Sequence, residues 1–143
     1  MIKILLAKNV VYGEKLTFKI VGYGDHINTR IFGNMVKDFN DYSEENNLNI
    51  TLELEMVDKV NNQFDSYSAY IETVLQKKNN IKYDILIYDN SYTQKYGPHL
   101  LDLKDYIKDD VSMFDDILIK DSCTYKDELV GLVNINIYYI YLL

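Results

Sequence analysis

Two short loops carry the side chains of this sequence that could recognise or transform a ligand. The loops are Tyr23-Gly24-Asp25-His26 and Asp89-Asn90-Ser91-Tyr92, and each combines a carboxylate with an aromatic hydroxyl. Carboxylates and hydroxyls hydrogen-bond polar ligands, and a flat tyrosine ring can stack on a sugar or a similar molecule. The same residue types are favoured in ordinary turns and helix caps, and spacing alone favours that interpretation. The residue types therefore leave ligand binding and plain turn chemistry both open.

An enzyme is the second hypothesis, with Asp25, His26 and Asp89 as candidate acid and base groups. Catalysis by an Asp–His pair would need a nucleophile and an oxyanion site, and the chain contains no G-x-S-x-G segment or similar elbow. Metal binding is not expected, because His26 and His99 lie far apart and the one cysteine, Cys123, has no partner at ligand spacing. We expect no catalytic residue, no metal ion and no cofactor.

The segments on either side of the first loop have the periodicities of a strand and a helix. Residues 16–22 alternate apolar and polar side chains, which predicts a strand. Asn28 is the expected N-cap of a helix. Beyond it the apolar residues follow the helical period and form one stripe: Ile31, Phe32, Met35, Val36, Phe39 and Tyr42.

The next three segments repeat this alternation of strand and helix. Residues 50–57 alternate strictly and have one polar face, which predicts a strand at or near the edge of a sheet. Ser66 is expected to cap a second helix, whose apolar stripe comprises Tyr67, Tyr70, Ile71, Val74 and Leu75. The apolar residues of 83–88 do not alternate, so this strand should be covered on both faces.

The order strand, helix, strand, helix, strand predicts an α/β fold with three layers and a mostly parallel sheet. We expect strand 50–57 at the edge, strand 16–22 beside it, and strand 83–88 on the other side of strand 16–22, all parallel. In such sheets, ligands bind outside the carboxyl ends of the strands. Loops 23–26 and 89–92 follow two of these ends and should therefore lie side by side on one rim.

The bulk properties restrict the class of partner. With 143 residues the chain is one domain or part of a larger one, and 48% hydrophobic residues are typical of a globular protein. The net charge of −7 argues against nucleic acid and anionic membranes as partners, since both require a basic surface. Lys8 ends the apolar run of the N-terminus well short of an ordinary signal peptide. The apolar segment 129–143 is too short to span a bilayer and suits a buried strand.

The order of motifs over most of residues 16–133 resembles the extracellular solute-binding proteins of family 1, the maltose-binding-like proteins of ABC transporters. The segment KIVGYGDHINTRIFGNMVKDFNDYSEENN is similar to the strand, Gly/Asp-containing loop and helix that open these proteins. NITLELEMV is similar to their next strand, and YSAYIETVLQKKNNIKYDILIYDN resembles their second helix and third strand. YGPHLLDLKDYIKDD and FDDILIKDSCTYKDELVGLV are similar to the two segments that follow.

This resemblance implies the type II periplasmic-binding-protein fold and a non-catalytic, two-lobed protein that closes over a solute, often a sugar. It implies ligand contacts from the loops after the first and third strands, which here are Tyr23, Asp25, Asp89, Ser91 and Tyr92. It also implies an extracellular or cell-surface location. The membrane partner would be a transporter or a fused receptor domain.

Two departures from the family pattern define which part of the fold is expected. Val133 stands where the family usually has a proline, and family members run to several hundred residues. We therefore expect residues 1–143 to form part of the first lobe, with 1–15 unassigned and the second lobe absent. A non-functional remnant of such a binding protein is the third hypothesis.

Overall fold

The structure is a computed structural model, and residues are described over the ranges 15–24, 26–57, 66–77, 82–107, 116–133 and 139–142. Within these ranges a five-stranded sheet lies between two helices. Of the N-terminal segment that the sequence left unassigned, Lys15 alone is among the described residues.

The parallel part of the sheet has the predicted order. β1 (Leu16–Tyr23) pairs in parallel with β2 (Ile50–Val57) on one side and with β3 (Ile85–Tyr88) on the other. β2 is an edge strand, and the alternating burial of its side chains matches its sequence pattern. All four residues of β3 are buried, which is what its unbroken apolar run indicates. The predicted topology is confirmed, although β3 begins at Ile85 rather than at residue 83.

Two helices cover opposite faces of this sheet and complete the expected three layers. One face packs against α1 (His26–Glu45), and its contacts are Phe32, Met35, Val36 and Phe39 against Ile20, Leu52, Ile85 and Ile87. The other face packs against α2 (Tyr67–Gln76), and its contacts are Ile71 and Leu75 against Val21, Leu86 and Tyr88. The hydroxyl of Ser66 accepts a hydrogen bond from the Ala69 N–H and caps α2, as predicted.

A smaller layer follows β3 along the chain. A 3₁₀ turn (Asn90–Tyr92) leads into α3 (Thr93–Tyr96). Further on, α4 (Asp116–Ser122) precedes a hairpin of β4 (Thr124–Tyr125) and β5 (Glu128–Leu129). This layer has its own buried cluster, which comprises Leu103, Ile107, Ile119, Cys123 and Leu129.

The remainder of the sheet is antiparallel. β6 (Leu132–Val133) and β7 (Tyr139–Leu142) pair with each other, and β7 pairs in the antiparallel sense with β3. The full order is therefore β2-β1-β3-β7-β6. The C-terminal apolar segment contributes strands, as its composition predicts. Among the described residues, no helix is long and apolar enough to cross a membrane.

The start of α1 differs from the sequence-based expectation. The helix begins at His26, so Asn28 lies in its first turn and is not the N-cap; its side chain is 3% exposed. Ile31 and Tyr42, which were expected in the apolar stripe, are exposed. The stripe was predicted too wide because the helix turns only its central apolar residues toward the sheet.

Side chains of α1 also bind the outer edge of β2. The Asn40 amide donates to the carbonyl of Leu52 over 3.0 Å and accepts from its N–H over 2.8 Å. The Ser43 hydroxyl donates to the carbonyl of Ile50 over 2.6 Å and accepts from its N–H over 3.3 Å. Main-chain groups that face away from β1 at these two positions are therefore satisfied by the helix.

Candidate functional site

A groove of about 340 Å³ lies at the carboxyl edge of the parallel strands. It is bounded by the end of β1, the first turn of α2 and the end of β3 with its following turn. Its lining residues are Tyr23, Ser66, Tyr67, Ser68, Ile87, Tyr88, Asp89 and Tyr92. This is the edge at which open α/β sheets bind ligands, and the volume lies in the lower range of small-molecule sites.

Asp89 forms a turn cap and also lines the groove. Its Oδ1 accepts a hydrogen bond from the Ser91 N–H over 2.9 Å and caps the 3₁₀ turn, which is ordinary turn chemistry. The residue is nevertheless exposed and lines the groove. Within the described residues, its second oxygen, Oδ2, accepts no hydrogen bond and is available to a ligand.

Tyr92 presents an aromatic surface that its neighbours hold in place. Its ring is 37% exposed and stacks on the ring of Tyr96, with centroids 5.4 Å apart and planes 11° apart. Tyr96 is buried, meets the ring of Tyr88 edge-on at 5.0 Å, and donates its hydroxyl to Ser68 over 3.1 Å. Burial raises the pKa of Tyr96 to about 12, so this donor keeps its proton at neutral pH. The contacts of Tyr96 therefore hold the exposed ring of Tyr92 in place.

A second tyrosine pair forms the opposite wall. The Tyr67 hydroxyl donates to the carbonyl of Ile87 over 2.9 Å, and this bond ties the first turn of α2 to the end of β3. Tyr23 packs against the Tyr67 ring at a centroid distance of 5.7 Å. Burial raises the pKa of Tyr67 well above its ordinary value, so Tyr67 also remains a neutral donor. The wall is thus uncharged.

The residues that the sequence proposed for this site are placed unequally. Tyr23, Asp89 and Tyr92 line the groove together, whereas Ser91 is exposed and does not line it. Asp25 lies outside the described residues. The sheet therefore brings Tyr23, at the end of the first strand, close to Asp89 and Tyr92, which follow the third strand.

Part of the groove lining was missed by the sequence analysis, namely Ser66, Tyr67, Ser68, Ile87 and Tyr88. A signal for three of them was present. β2 is parallel to β1, so its carboxyl end leads to the same rim, and the first turn of α2 follows that end. Tyr88 was assigned only to the core, because the residue ends an apolar run.

Of the three acid–base groups in the enzyme hypothesis, the structure describes His26 and Asp89, and it does not bring these two together in the groove. His26 is exposed at the first residue of α1 and does not line the groove that contains Asp89. Over the ranges that the structure describes, no group of three or more His, Cys, Asp and Glu residues could hold a metal ion. Burial raises the pKa of the Cys123 thiol to about 12, which suppresses the thiolate that nucleophilic chemistry requires.

The capping role of Asp89 gives a measurable stability effect. We expect Asp89→Ala to lower the free energy of unfolding by about 0.5–1 kcal/mol, since the Ser91 N–H loses its acceptor. Urea denaturation of the 143-residue chain measures this change. Asp89→Asn keeps an acceptor oxygen and should stay close to the wild type. Equal stability of the wild type and Asp89→Ala would show that the cap contributes nothing.

Solved structures show where this fold occurs. The chain is similar in structure to an extracellular solute-binding protein of family 1 from Alicyclobacillus acidocaldarius, with a TM-score of 0.67 and 23% sequence identity. The match covers 85% of this chain and 28% of that protein. The chain is also similar to a periplasmic oligogalacturonide-binding protein from Yersinia enterocolitica, solved with saturated digalacturonic acid. That match has a TM-score of 0.63 and 15% identity, and covers 82% of this chain and 27% of that one.

A de novo designed esterase has a similar fold, with a TM-score of 0.65, 13% identity, and coverage of 82% of this chain and 27% of that one. No protein-family model matches the sequence, and no curated protein matches it either. At these identities the shared property is the fold. The chain spans roughly a quarter of the length of these proteins, and the resemblance of its sequence to solute-binding proteins is confirmed at the level of the fold.

Proposed function

We propose that this chain, which has the fold of part of a solute-binding protein, is a non-catalytic solute-binding lobe whose ligand is a sugar. The observation that carries the proposal is the groove at the carboxyl edge of the sheet. There an exposed tyrosine ring, a carboxylate with an available oxygen and two serines converge. An aromatic ring with polar groups around it fits the two kinds of surface that a sugar presents, its C–H face and its hydroxyls.

The residues proposed to contact the solute are Tyr23, Asp89 and Tyr92, and Asp25 stays a prediction from the sequence. Ser91 would act through the turn that it forms with Asp89. In the whole protein, a second lobe would close over the groove, because the groove is open to solvent in the part of the chain that the structure describes. The location would be extracellular or at the cell surface, and a transporter or a fused receptor domain would be the membrane partner.

An open groove on one lobe should bind weakly. We expect the 143-residue chain to bind simple sugars no more tightly than roughly millimolar, or about −4 kcal/mol, because much of the ligand stays in water. Titration monitored by amide chemical shifts detects affinities of this order. Shifts should concentrate at Tyr23, Ser68, Asp89 and Tyr92.

The matched control for this titration compares two exposed tyrosines. Tyr92→Ala should weaken sugar binding by roughly twofold to tenfold, since an aromatic contact contributes about 0.5–1.5 kcal/mol. Tyr106→Ala removes a ring that is 41% exposed and does not line the groove, so affinity should not change. An equal loss in both variants would contradict the site, and micromolar affinity of the chain would contradict its assignment as a partial lobe.

A further inference from the structure

We infer that this groove takes an uncharged, hydroxyl-rich ring and discriminates against sugars that carry a carboxylate. The inference rests on the proposed function and adds the charge class of the solute. Its support comes from the side chains that line the groove and from the ion pair that holds a nearby lysine.

Asp89 is the one charged residue in the described lining of the groove. Apart from Asp89, the described lining residues are tyrosines, serines and one isoleucine, so none of them carries a formal charge at neutral pH. A basic side chain is the usual partner of a ligand carboxylate, through charge-assisted hydrogen bonds. In the lining that the structure describes, no lysine, arginine or histidine supplies that partner.

The cation nearest in the hydrogen-bond network is already neutralised. Lys95 donates to Glu72, which also accepts from the hydroxyl of Ser68 over 3.0 Å. Ser68 lines the groove, so the network reaches the site through a neutral hydroxyl, and the ammonium group of Lys95 stays with the carboxylate of Glu72. On the side of the groove formed by α2, the chain therefore presents the Ser68 hydroxyl and not the Lys95 ammonium group.

The first turn of α2 adds a hydroxyl to the groove. Free N–H groups at a helix N-terminus attract anions, and this turn borders the groove. Here the Ser66 hydroxyl accepts from the Ala69 N–H, so one of these donors is already satisfied within the chain. Ser66 lines the groove, as does Ser68.

The carboxylate of Asp89 also favours a ligand that donates hydrogen bonds from hydroxyl groups. An ionised carboxylate only accepts hydrogen bonds, so its Oδ2 is matched by a sugar hydroxyl and mismatched by a ligand carboxylate. Like charges about 4 Å apart in a water-rich site repel by about 1 kcal/mol, and by more where water is excluded. This corresponds to a preference of about fivefold or more for the uncharged sugar.

Matched sugar pairs test the charge class directly. Glucose and glucuronate, like galactose and galacturonate, differ only at carbon 6, which is a CH2OH group in the neutral sugar and a carboxylate in the acidic one. We expect the neutral member of at least one pair to shift the amide resonances of the groove at about fivefold lower concentration than its acidic partner. In Asp89→Asn this ratio should fall toward one. Asp38→Asn, which removes the same charge from α1 on the other face of the sheet, should leave the ratio unchanged.

The outcomes separate the two proposals. Acidic sugars that bind as well as or better than their neutral partners in both pairs would overturn the charge inference and leave solute binding standing. A ratio that survives Asp89→Asn would also overturn it, because the discrimination would then come from other groups. If neither member of either pair shifts the groove resonances, sugar binding by this chain is refuted, and the charge inference fails with it.

Discussion

Replacing Leu86 by alanine should lower the free energy of unfolding by about 3–5 kcal/mol, the largest loss that we expect from a single substitution in this chain. Leu86 has 0% of its surface exposed and lies in β3, the parallel strand buried on both faces. It packs in the cluster that also holds Ile71, Leu75 and Tyr88. Alanine would leave a cavity that the surrounding strands and helix cannot fill.

Urea denaturation with a matched leucine measures this effect. Leu101→Ala removes the same atoms from a side chain that is 44% exposed, so its cost should stay within about 0.5 kcal/mol. Because Tyr88 shares the cluster of Leu86 and lines the groove, Leu86→Ala should also broaden the amide resonances of the groove. Similar losses for the two leucines would contradict the position of β3 inside the sheet.

Gly97→Ala is the second large effect, with an expected loss of about 1–3 kcal/mol from overpacking. A β-carbon at position 97 would lie 2.5 Å from both Cβ and Cγ of Tyr125 and 2.9 Å from its Cδ2. The first two atoms are close to the backbone of β4, so a rotation of the ring cannot remove the clash. The backbone of Gly97 is helical, with φ of −46°, so close approach rather than conformation requires glycine here.

Two further variants identify the cause of that loss. Gly33 lies within α1, and a β-carbon there meets nothing within 4 Å, so Gly33→Ala should stabilise the chain by about 0.5–1 kcal/mol. A loss of stability in Gly97→Ala together with a gain in Gly33→Ala would show that the effect at position 97 comes from steric contact and not from the different helix propensities of glycine and alanine. In the background of Tyr125→Gly, which removes both the ring and the β-carbon of residue 125, Gly97→Ala should become much less costly. If the losses of Gly97→Ala and Tyr125→Gly simply add, the contact between these residues is not the cause.

The sequence predicted the elements whose patterns depend on local chemistry and on the number of covered faces. The alternation in residues 50–57 identified an edge strand, the unbroken run at 85–88 identified an inner one, and Ser66 marked the start of α2. Each of these signals lies within a single segment. The relative order of the three parallel strands then followed from their connections and burial.

Features that depend on which segments meet in space could not be predicted in the same way. The antiparallel pairing of β7 with β3 joins residues that are distant in the chain. The groove was half predicted for this reason. Tyr23 and Asp89 were found from the strand ends, whereas Tyr67 was assigned to the helix stripe, and its bond to Ile87 is visible only in three dimensions.

The hydrogen bonds from α1 to β2 have a consequence for how this chain meets other chains. A bare edge strand is a template on which a strand of another molecule can add, which leads to aggregation. The Asn40 side chain offers the main chain of Leu52 one hydrogen-bond donor and one acceptor, as a neighbouring strand would. The Ser43 hydroxyl does the same for the main chain of Ile50. A foreign strand would have to break four hydrogen bonds before it could pair along this half of β2. Along this half of β2 the helix therefore takes the place of one more strand, and this part of the edge is not open to a second copy.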